Sequence, residues 1–495
     1  MSKYDKYEVV IGLEVHAQLN TKSKAFCGDS TTFGANPNTH VSPISLAHPG
    51  TLPRMNKEQI KKAVKLGLAT GCSINQTNYF DRKNYFYPDL TKGYQTTQDN
   101  QPICIEGMVD VRIKDSIKSI RLNRIHMEED AGKSVHDLHP NYSMIDLNRA
   151  GVPLLEIVSE PDLRSAEEAG NFVATIRRLV RYLDVCDGNM EEGSLRCDCN
   201  ISVRLKGETE YGTRCEIKNV NSISNVKTSI NYEAKRQIDL IEIGEEIIQQ
   251  TRTFDADTGT TAALRSKENA HDYRYFPEPD LAPIVISEEQ LTDWKSEMPE
   301  LPEELYQKFI NEYKLSVYDT NILIDDRALA LYFIELTKFT KNHKAAANWL
   351  TNSIRSHLND ENLNIDEFPI VPKQIAALIQ LIDDEKLGNL AAKKKVFPAM
   401  ILSPKKSPLE IAKLLNVIQE GDNSLIENLV QQVLAEYPEK VEEYRNCPNN
   451  KKGQKRKKGL TSLFIGELMK KSRGKANPKV AMPILMKALN ANKMD

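Results

Sequence analysis

The sequence predicts an α+β protein in which a body built on an antiparallel sheet precedes two all-helical modules. Two observations predict this fold class. Segments in the first part of the chain alternate apolar and charged residues with a period of two, as strands with one buried face do. Beyond about Pro299, apolar residues instead recur at helical spacing in successive segments. We therefore expect domains at 1–295, 296–405 and 406–495.

Three segments of the body carry the alternation most clearly. They read YEVVIGLEVHAQL from Tyr7, SLRCDCNISVRL from Ser194 and TRCEIKN from Thr213. In a strand, Glu14 and His16 point the same way, whereas a helix would place residues two apart on roughly opposite sides. Antiparallel strands of this kind bury one face against helices and leave the other in water. The sequence thus predicts a charged sheet surface, which we interpret as a site.

Helices are expected both within the body and throughout the C-terminal half. A capping-box pattern at Ser165 and Glu168 begins one helix, and Phe172 and Ile176 continue it at helical spacing. Two further helices of the body are expected at 56–71 and 222–241. The amphipathic segments of the C-terminal half include PEELYQKFINEY, DDRALALYFIELTKF, HKAAANWLTNSIRSHL and PKQIAALIQLI, then PLEIAKLLNVI, SLIENLVQQVLAEY, KGLTSLFIGELMKKS and NPKVAMPILMKAL.

Composition places the chain among ordinary globular proteins. Of its 495 residues, 40% are hydrophobic and 27% are charged. The net charge of −3 gives no global argument for nucleic acid. No apolar run approaches the roughly 18 residues of a membrane span, and the first expected strand begins too close to Met1 for a leader peptide. The eight cysteines form no C-x-x-C pair, which favours reduced thiols and a cytoplasmic location.

Acidic residues in apolar strands are the strongest sign of a site. Glu156 lies between Leu-Leu and Ile-Val, where a carboxylate is costly unless it is paired, hydrogen-bonded or bound to a cation. Together with Glu14, His16 and the neighbouring Glu128 and Glu129, it would suit a hard cation such as Mg²⁺. The alternative is pairing with nearby arginines. Both interpretations stay open at this point, and the arginines in question are Arg124, Arg149 and Arg164.

Two further patterns admit more than one interpretation. The run KKGQKRKKG at 451–459 is typical of a solvated linker, but it would also suit contact with phosphates. The segments DRKNYFYPD and HDYRYFPEPD interleave aromatic and basic residues. Such interleaving favours strands flanked by their own ion pairs, although it also occurs where single-stranded nucleic acid stacks.

Eight long strings of this sequence, in order, resemble the B subunits of the tRNA-dependent amidotransferases, the GatB family. They are GLEVHAQL, FGANPNT, DRKNYFYPDLTKGYQ, HMEEDAGKS, DLNRAGVPLLEIVSEPD, MEEGSLRCDCNIS, EIKNVNS and DYRYFPEPDL. The resemblance implies a cradle domain similar in fold to glutamine synthetase and the guanido kinases. It also implies a helical domain and then a tail domain that contacts tRNA.

The resemblance further implies a carbon–nitrogen ligase that uses glutamine as amide donor. ATP, with Mg²⁺, would phosphorylate the side-chain carboxylate of glutamate mischarged on tRNA-Gln or of aspartate mischarged on tRNA-Asn. An amidase A subunit would release ammonia, which reaches this chain through a channel and displaces the phosphate. A small C subunit would complete the heterotrimer. No membrane association is implied.

The matching motifs imply roles for particular residues. The implied metal-binding set is His16, Glu129 and Glu156, with Glu14 close by. Lys83 and Asp198 would lie at the exit of the ammonia channel. The full set of catalytic candidates is Glu14, Glu128, Glu129, Lys83 and Asp198. From strand phase, we add Arg196 and Arg214, which share the charged face and are candidates for binding nucleotide phosphates.

Two expectations concern regions outside this face. Several members of the family bind zinc through four cysteines near the N-terminus, but the corresponding positions here are Cys27, Asp29, Ser42 and Ser45. We therefore expect no structural zinc. The resemblance also favours tRNA contact over a simple linker for the basic run, whose candidates are Lys455, Arg456, Lys457 and Lys458.

Two rival functions fit the residues less well. A glutamine-synthetase-like ligase acting on a free small molecule has no evident need for a helical C-terminal half. A non-catalytic RNA-binding scaffold has no evident need for an acid such as Glu156 within an apolar strand.

Overall fold

A computed structural model describes residues 2–114, 116–136, 138–266, 273–418, 423–472, 476 and 478–491. The chain divides into two compact units, Met1–Pro302 and Glu303–Asp495. The first unit combines strands and helices and the second is helical, as the α+β prediction requires. The further division of the helical half near residue 405 stays a prediction.

The strands of the first unit are short apart from three long ones. In chain order they are β1 (Tyr7–Gln18), β2 (Ser73–Ile74), β3 (Thr77–Asn78), β4 (Asp81–Asn84), β5 (Tyr94–Thr97), β6 (Cys104–Ile105), β7 (Met108–Ile113), β8 (Ser116–Glu129), β9 (Lys133–Val135), β10 (Met144–Asp146), β11 (Pro153–Ser159), β12 (Leu195–Leu205), β13 (Cys215–Val220), β14 (Gln250–Asp255), β15 (Thr260–Ser266), β16 (Phe276–Pro277) and β17 (Ile284–Val285).

One ten-stranded sheet organises this unit. Its order is β15-β14-β13-β12-β1-β11-β8-β6-β2, with β7 also paired to β8. The three strands expected from alternation are adjacent, and β1–β12 and β12–β13 are antiparallel, as predicted. The pairing of β13 with β14 is parallel, so the sheet is not antiparallel throughout. That exception follows from the long helix that connects these two strands, since parallel neighbours need a crossover.

Helices cover one face of the sheet, because that face is apolar. They are α1 (Lys57–Ala69), α2 (Ala166–Tyr182) and α3 (Ile223–Glu242), and a further helix of the first unit, α4 (Glu288–Ser296), packs on α1. Ile11 and Leu13 of β1 and Phe172 of α2 are at most 1% exposed and belong to one core. The two thiols of β12, Cys197 and Cys199, are buried in the same core as the alternation predicted.

The start of α2 shows how local sequence fixes an element. The Ser165 hydroxyl accepts the backbone N–H of Glu168 at 3.2 Å, as expected of an N-cap. The Glu168 carboxylate, however, accepts the N–H of Arg164 at 2.8 Å rather than that of the cap residue. The predicted capping box is therefore formed on one side only, and the helix begins where the pattern placed it.

The second unit consists of helices joined by short breaks. They are α5 (Pro302–Asn311), α6 (Val317–Leu323), α7 (Arg327–Thr337), α8 (His343–Asn348), α9 (Arg355–Glu361), α10 (Pro372–Asp383), α11 (Asn389–Ala391), α12 (Phe397–Leu402), α13 (Pro408–Leu414), α14 (Asn423–Glu436), α15 (Pro438–Arg445), α16 (Lys451–Lys471) and α17 (Pro478–Asn490). Two π-helical stretches, Trp349–Ile354 and Ala392–Val396, interrupt them. Within the described ranges, none of the helices is both long and apolar enough to span a bilayer.

Candidate functional site

The face of the large sheet opposite the helices forms the floor of a cleft with a volume of about 540 Å³. Its lining is mainly polar and includes residues of β1, β8, β11, β12 and β13 together with residues of β4, β5 and the turn after β4. The charged residues of the lining include His16, Lys83, Glu128, Glu156, Arg196, Asp198 and Lys218. Strand register explains this assembly, because Glu156 lies opposite His16 and also opposite His126 across neighbouring strands.

Two carboxylates and an imidazole form a first cluster on this floor, composed of His16, Glu128 and Glu156. One potential ligand atom from each lies within 4.8 Å of the others. Nε2 of His16 is 3.3 Å from Oε2 of Glu156 and 3.9 Å from Oε1 of Glu128. Nε2 of His126 approaches Oε2 of Glu156 to 3.4 Å from the other side. Glu156 thus has histidine partners rather than the arginine partners that the ion-pair interpretation required.

The electrostatics of the first cluster favour charged histidines beside a charged Glu156. Burial by itself lowers the pKa of His16, but the carboxylates of Glu156 and Glu128 outweigh burial and raise it to about 9. The pKa of His126 is raised for the same reason against the same burial. Burial opposes ionisation of Glu156, yet His126 and His16 hold its pKa well below the usual range. A metal ion that binds His16 therefore has to displace a proton.

A second cluster lies beside the first and consists of Glu14, Asp198 and Glu216, whose ligand atoms also lie within 4.8 Å of one another. Nζ of Lys218 is 3.0 Å from Oδ2 of Asp198 and 3.4 Å from Oε1 of Glu216. Nδ2 of Asn200 donates to Oε1 of Glu14 at 2.8 Å. Burial raises the pKa of Glu14, and the charges of Glu156, Asp198 and Glu216 raise it further.

The structure brings together most of the predicted metal set but separates one member from it. Glu128, not Glu129, is the acid beside His16 and Glu156. Successive residues of a strand point to opposite faces, so the side chain of Glu129 leaves the floor. Its Oε1 accepts the N–H of Thr96 at 2.9 Å and also contacts Nζ of Lys92. Glu129 lines a different cavity of about 220 Å³.

The remaining predicted residues are distributed along the floor and its rim. Lys83 and Asp198 both line the cleft, and Nζ of Lys83 lies 4.9 Å from the centre of the Tyr273 ring. Arg196 also lines it and donates to Oδ2 of Asp130 at 2.9 Å. Arg214 is exposed and lines a neighbouring cavity of about 470 Å³ with Glu14. The two arginines therefore face different cavities.

Several residues at the site escaped sequence reasoning. His126, Glu216 and Lys218 are absent from the predicted set, although His126 shares strand phase with the predicted Glu128, and Glu216 and Lys218 share it with the predicted Arg214. The pairing of β4 with β16 joins two aromatic segments that are far apart in sequence. It places the ring centre of Tyr273 5.9 Å from the ring centre of Tyr85, which lines the cleft. No local pattern signals that pairing.

Some charged residues of the two aromatic and basic segments form ion pairs with each other. Nε and Nη2 of Arg82 donate to the two carboxylate oxygens of Glu278 at 2.8 and 2.7 Å, and Nη2 also reaches Asp280 at 3.0 Å. The guanidinium lies 4.2 Å from the centre of the Tyr94 ring. For Arg82, the interpretation as an internally paired strand residue therefore fits.

The four positions discussed for zinc lie close together in one loop. Sγ of Cys27 is 3.3 Å from Oγ of Ser45, which also contacts the Asp29 carboxylate. The N–H of Ser42 donates to the same carboxylate at 2.9 Å. Hydrogen bonds thus link these side chains directly. The expectation that they bind no zinc stays a prediction.

The basic run is helical, so the linker interpretation is wrong for the described residues. It forms the first turns of α16, and the side chain of Asn450 caps that helix. Arg456 contacts the Glu443 carboxylate, and Nζ of Lys457 lies 5.3 Å from the centre of the Tyr444 ring. Lys455 and Lys458 are exposed.

The sheet is mostly antiparallel, buries one face under helices and gathers acids, histidines and lysines in a cleft on the other face. This arrangement is typical of an α+β enzyme. The family comparisons agree with this. The chain matches the model of the GatB/GatE catalytic domain over residues 9–292 and that of the GatB domain over residues 331–489. The chain belongs to the GatB/GatE family.

Curated relatives match over nearly their whole length. A protein of Thermodesulfovibrio yellowstonii is 48% identical over 484 residues, covering 98% of this chain and 99% of the relative. One from Rickettsia rickettsii is 47% identical over 487 residues, or 98% of each chain. One from Pseudomonas syringae is 47% identical over 481 residues, or 97% of this chain and 98% of the relative. Each is named as the B subunit of an aspartyl/glutamyl-tRNA(Asn/Gln) amidotransferase.

Proposed function

We propose that this chain amidates glutamate mischarged on tRNA-Gln, aspartate mischarged on tRNA-Asn, or both, at the expense of ATP. The γ-phosphate of ATP is transferred to the side-chain carboxylate, which forms an acyl phosphate and ADP. Ammonia then attacks the acyl carbon, phosphate leaves, and the product is Gln-tRNA or Asn-tRNA. Membership of the family and the names of the relatives support this reaction.

The observation that carries the proposal is the first cluster, which lies within a cleft lined by charged side chains of both signs. Its two carboxylates and one imidazole within 4.8 Å are a donor set that fits a divalent cation such as Mg²⁺. When bound, such an ion would neutralise charge that develops on the transferred phosphoryl group. His16, Glu128 and Glu156 would hold it, with Glu129 as the alternative acid that the family resemblance implies. Apart from this charge neutralisation, phosphoryl transfer mainly requires that the protein position the reacting groups.

Other residues of the cleft have supporting roles in the proposal. Lys83 and Asp198, at the rim and on the floor, would border the point where ammonia enters. The Asp198 carboxylate would accept a hydrogen bond from ammonia and orient its lone pair toward the acyl carbon. Arg196 and Arg214 remain candidates for nucleotide phosphates, with Arg196 in the same cleft as the first cluster. The expected partners are an amidase A subunit, a small C subunit and mischarged tRNA.

The direct test is amidation by the assembled complex with free ammonium in place of glutamine. We expect amide formation on mischarged Glu-tRNA or Asp-tRNA, with ATP consumed only when such a tRNA is present. Free glutamate and free aspartate are the matched control substrates. Amidation of a free amino acid at a comparable rate would replace the proposal by a small-molecule ligase. Absence of ATP turnover with every substrate would favour an RNA-binding scaffold.

The basic start of α16 gives a separate prediction about tRNA. Replacing exposed Lys455 and Lys458 by alanine should reduce the magnitude of the negative slope of log affinity against log salt by about 2, roughly one for each lost phosphate contact. Filter binding of tRNA between low and moderate salt measures that slope. The control is the exposed pair Lys405 and Lys406, replaced in the same way. An unchanged slope in the α16 variant would remove tRNA contact from this helix.

A further inference from the structure

Arg124 belongs to the sheet face that carries the site, yet it has no hydrogen-bond or ion-pair partner in the part of the chain that the structure describes. It lies on β8 two residues before His126, so the two side chains share the floor face. The residue is partly buried, and its Nε is enclosed without an acceptor. An enclosed donor on a charged group is costly to leave unpaired, so this atom calls for a ligand.

The lack of a partner sets Arg124 apart from the two other arginines that the sequence offered as partners for buried acids. Nε of Arg149 donates to the carbonyl of Ala131 at 3.0 Å. Nη1 of Arg164 donates to the carbonyl of Pro161 at 2.6 Å. Both guanidinium groups are therefore engaged within the protein, whereas that of Arg124 is not.

Strand register places Arg124 beside the first cluster. His126 lies opposite Glu156, and Arg124 lies opposite Val158, the next residue of β11 on the same face. Arg124 and Glu156 are therefore diagonal neighbours, roughly 7–8 Å apart along the sheet, which is within reach of a long side chain. Glu156 nevertheless contacts the two histidines instead. The guanidinium thus lies next to the cluster and is free to bind another anion.

We propose that Arg124 binds the γ-phosphate of ATP and is a further catalytic residue of the reaction. The inference rests on the proposed function, in which that phosphate is transferred beside the first cluster. A guanidinium is planar and permanently charged, and its paired N–H groups match two phosphate oxygens. These hydrogen bonds offset the charge of the phosphoryl group while its bond to ADP breaks and its bond to the carboxylate oxygen forms. The arginine neither gives up nor accepts a proton.

The test compares two nucleotides that differ in the γ-phosphate, ADP and the non-hydrolysable β,γ-imido analogue of ATP. Each is titrated calorimetrically into the assembled complex with Mg²⁺ present. We expect Arg124→Met to lower the affinity for the imido analogue about 10- to 100-fold, as losing a hydrogen bond to a charged group does, and to leave ADP affinity within about 2-fold. Arg121→Met is the matched control and should change neither affinity, because Arg121 lies on the same strand and donates to Asp162 at 2.8 Å.

The outcomes separate this inference from the proposed function. Equal losses for both nucleotides, or no loss for either, in an Arg124→Met variant that circular dichroism shows to be folded would overturn the role of Arg124 and leave the proposed function standing. If Arg124→Met does not fold, Arg124→Lys decides, because lysine keeps the charge but not the planar pair of donors. A selective loss for the imido analogue in that variant would support the inference, and unchanged affinities would overturn it. Binding of neither nucleotide by the wild type would overturn the proposed function together with this inference.

Discussion

Replacing Glu156 by glutamine is expected to lower the rate of tRNA-dependent amidation at least about 100-fold, because this carboxylate organises the first cluster. Its Oε2 lies 3.3 Å from Nε2 of His16 and 3.4 Å from Nε2 of His126. Glutamine has nearly the same shape but carries no negative charge. The two imidazoles would lose the charge that keeps them protonated, and a divalent ion would lose an anionic ligand.

The measurement is ammonium-dependent amidation by the assembled complex, followed at saturating ATP, together with Mn²⁺ binding by the chain alone. Glu160→Gln is the matched control, because Glu160 follows the same strand and accepts from Nδ2 of Asn123 at 2.8 Å, outside the lining of the cleft. We expect that variant to retain its rate and its Mn²⁺ affinity. Full activity of Glu156→Gln would mean that Glu156 merely joins two histidines structurally.

Much of the fold could be predicted because it follows from periodicity. The alternation in β1 and β12 reports directly which side chains share a face, and Ser165 marks the start of α2 through a hydrogen bond to a residue three positions on. Such signals involve neighbours along the chain. The register that places Glu156 opposite both His16 and His126 involves three strands from distant segments, so it becomes visible only in the folded sheet.

The parts of the site that were not predicted depend on pairing between strands that are far apart in sequence and on contacts between adjacent strands. Tyr273 reaches Tyr85 only because β16 pairs with β4, although these strands are nearly 200 residues apart. Lys218 belongs to the site because it forms an ion pair with Asp198 on the adjacent strand. The basic run at 451–458 looked like a linker by composition, but apolar residues further along the same segment pack in a core and continue the helix. Charge composition alone does not contain that information.

The pair Glu128 and Glu129 provides the sharpest test of the metal site, because the two residues are almost equally buried, at 3% and 4% exposure. Replacing either glutamate by glutamine therefore changes the free energy of burying that side chain by a similar amount. The strand points Glu128 to the floor, where its Oε1 lies 3.9 Å from Nε2 of His16. It points Glu129 toward Thr96 and Lys92 instead.

We expect Glu128→Gln to weaken Mn²⁺ binding to the chain at least about 10- to 100-fold, which is the loss that changing even an outer-shell partner of a metal ligand typically causes. Glu129→Gln should leave Mn²⁺ affinity unchanged, since its carboxylate is engaged by the N–H of Thr96 and the amine of Lys92. Titration of both variants under the same conditions, with thermal unfolding as a check on folding, decides between them. If Glu129→Gln loses the ion and Glu128→Gln keeps it, the ligand set is His16, Glu129 and Glu156, and the strand has to turn at residue 129 when the ion binds.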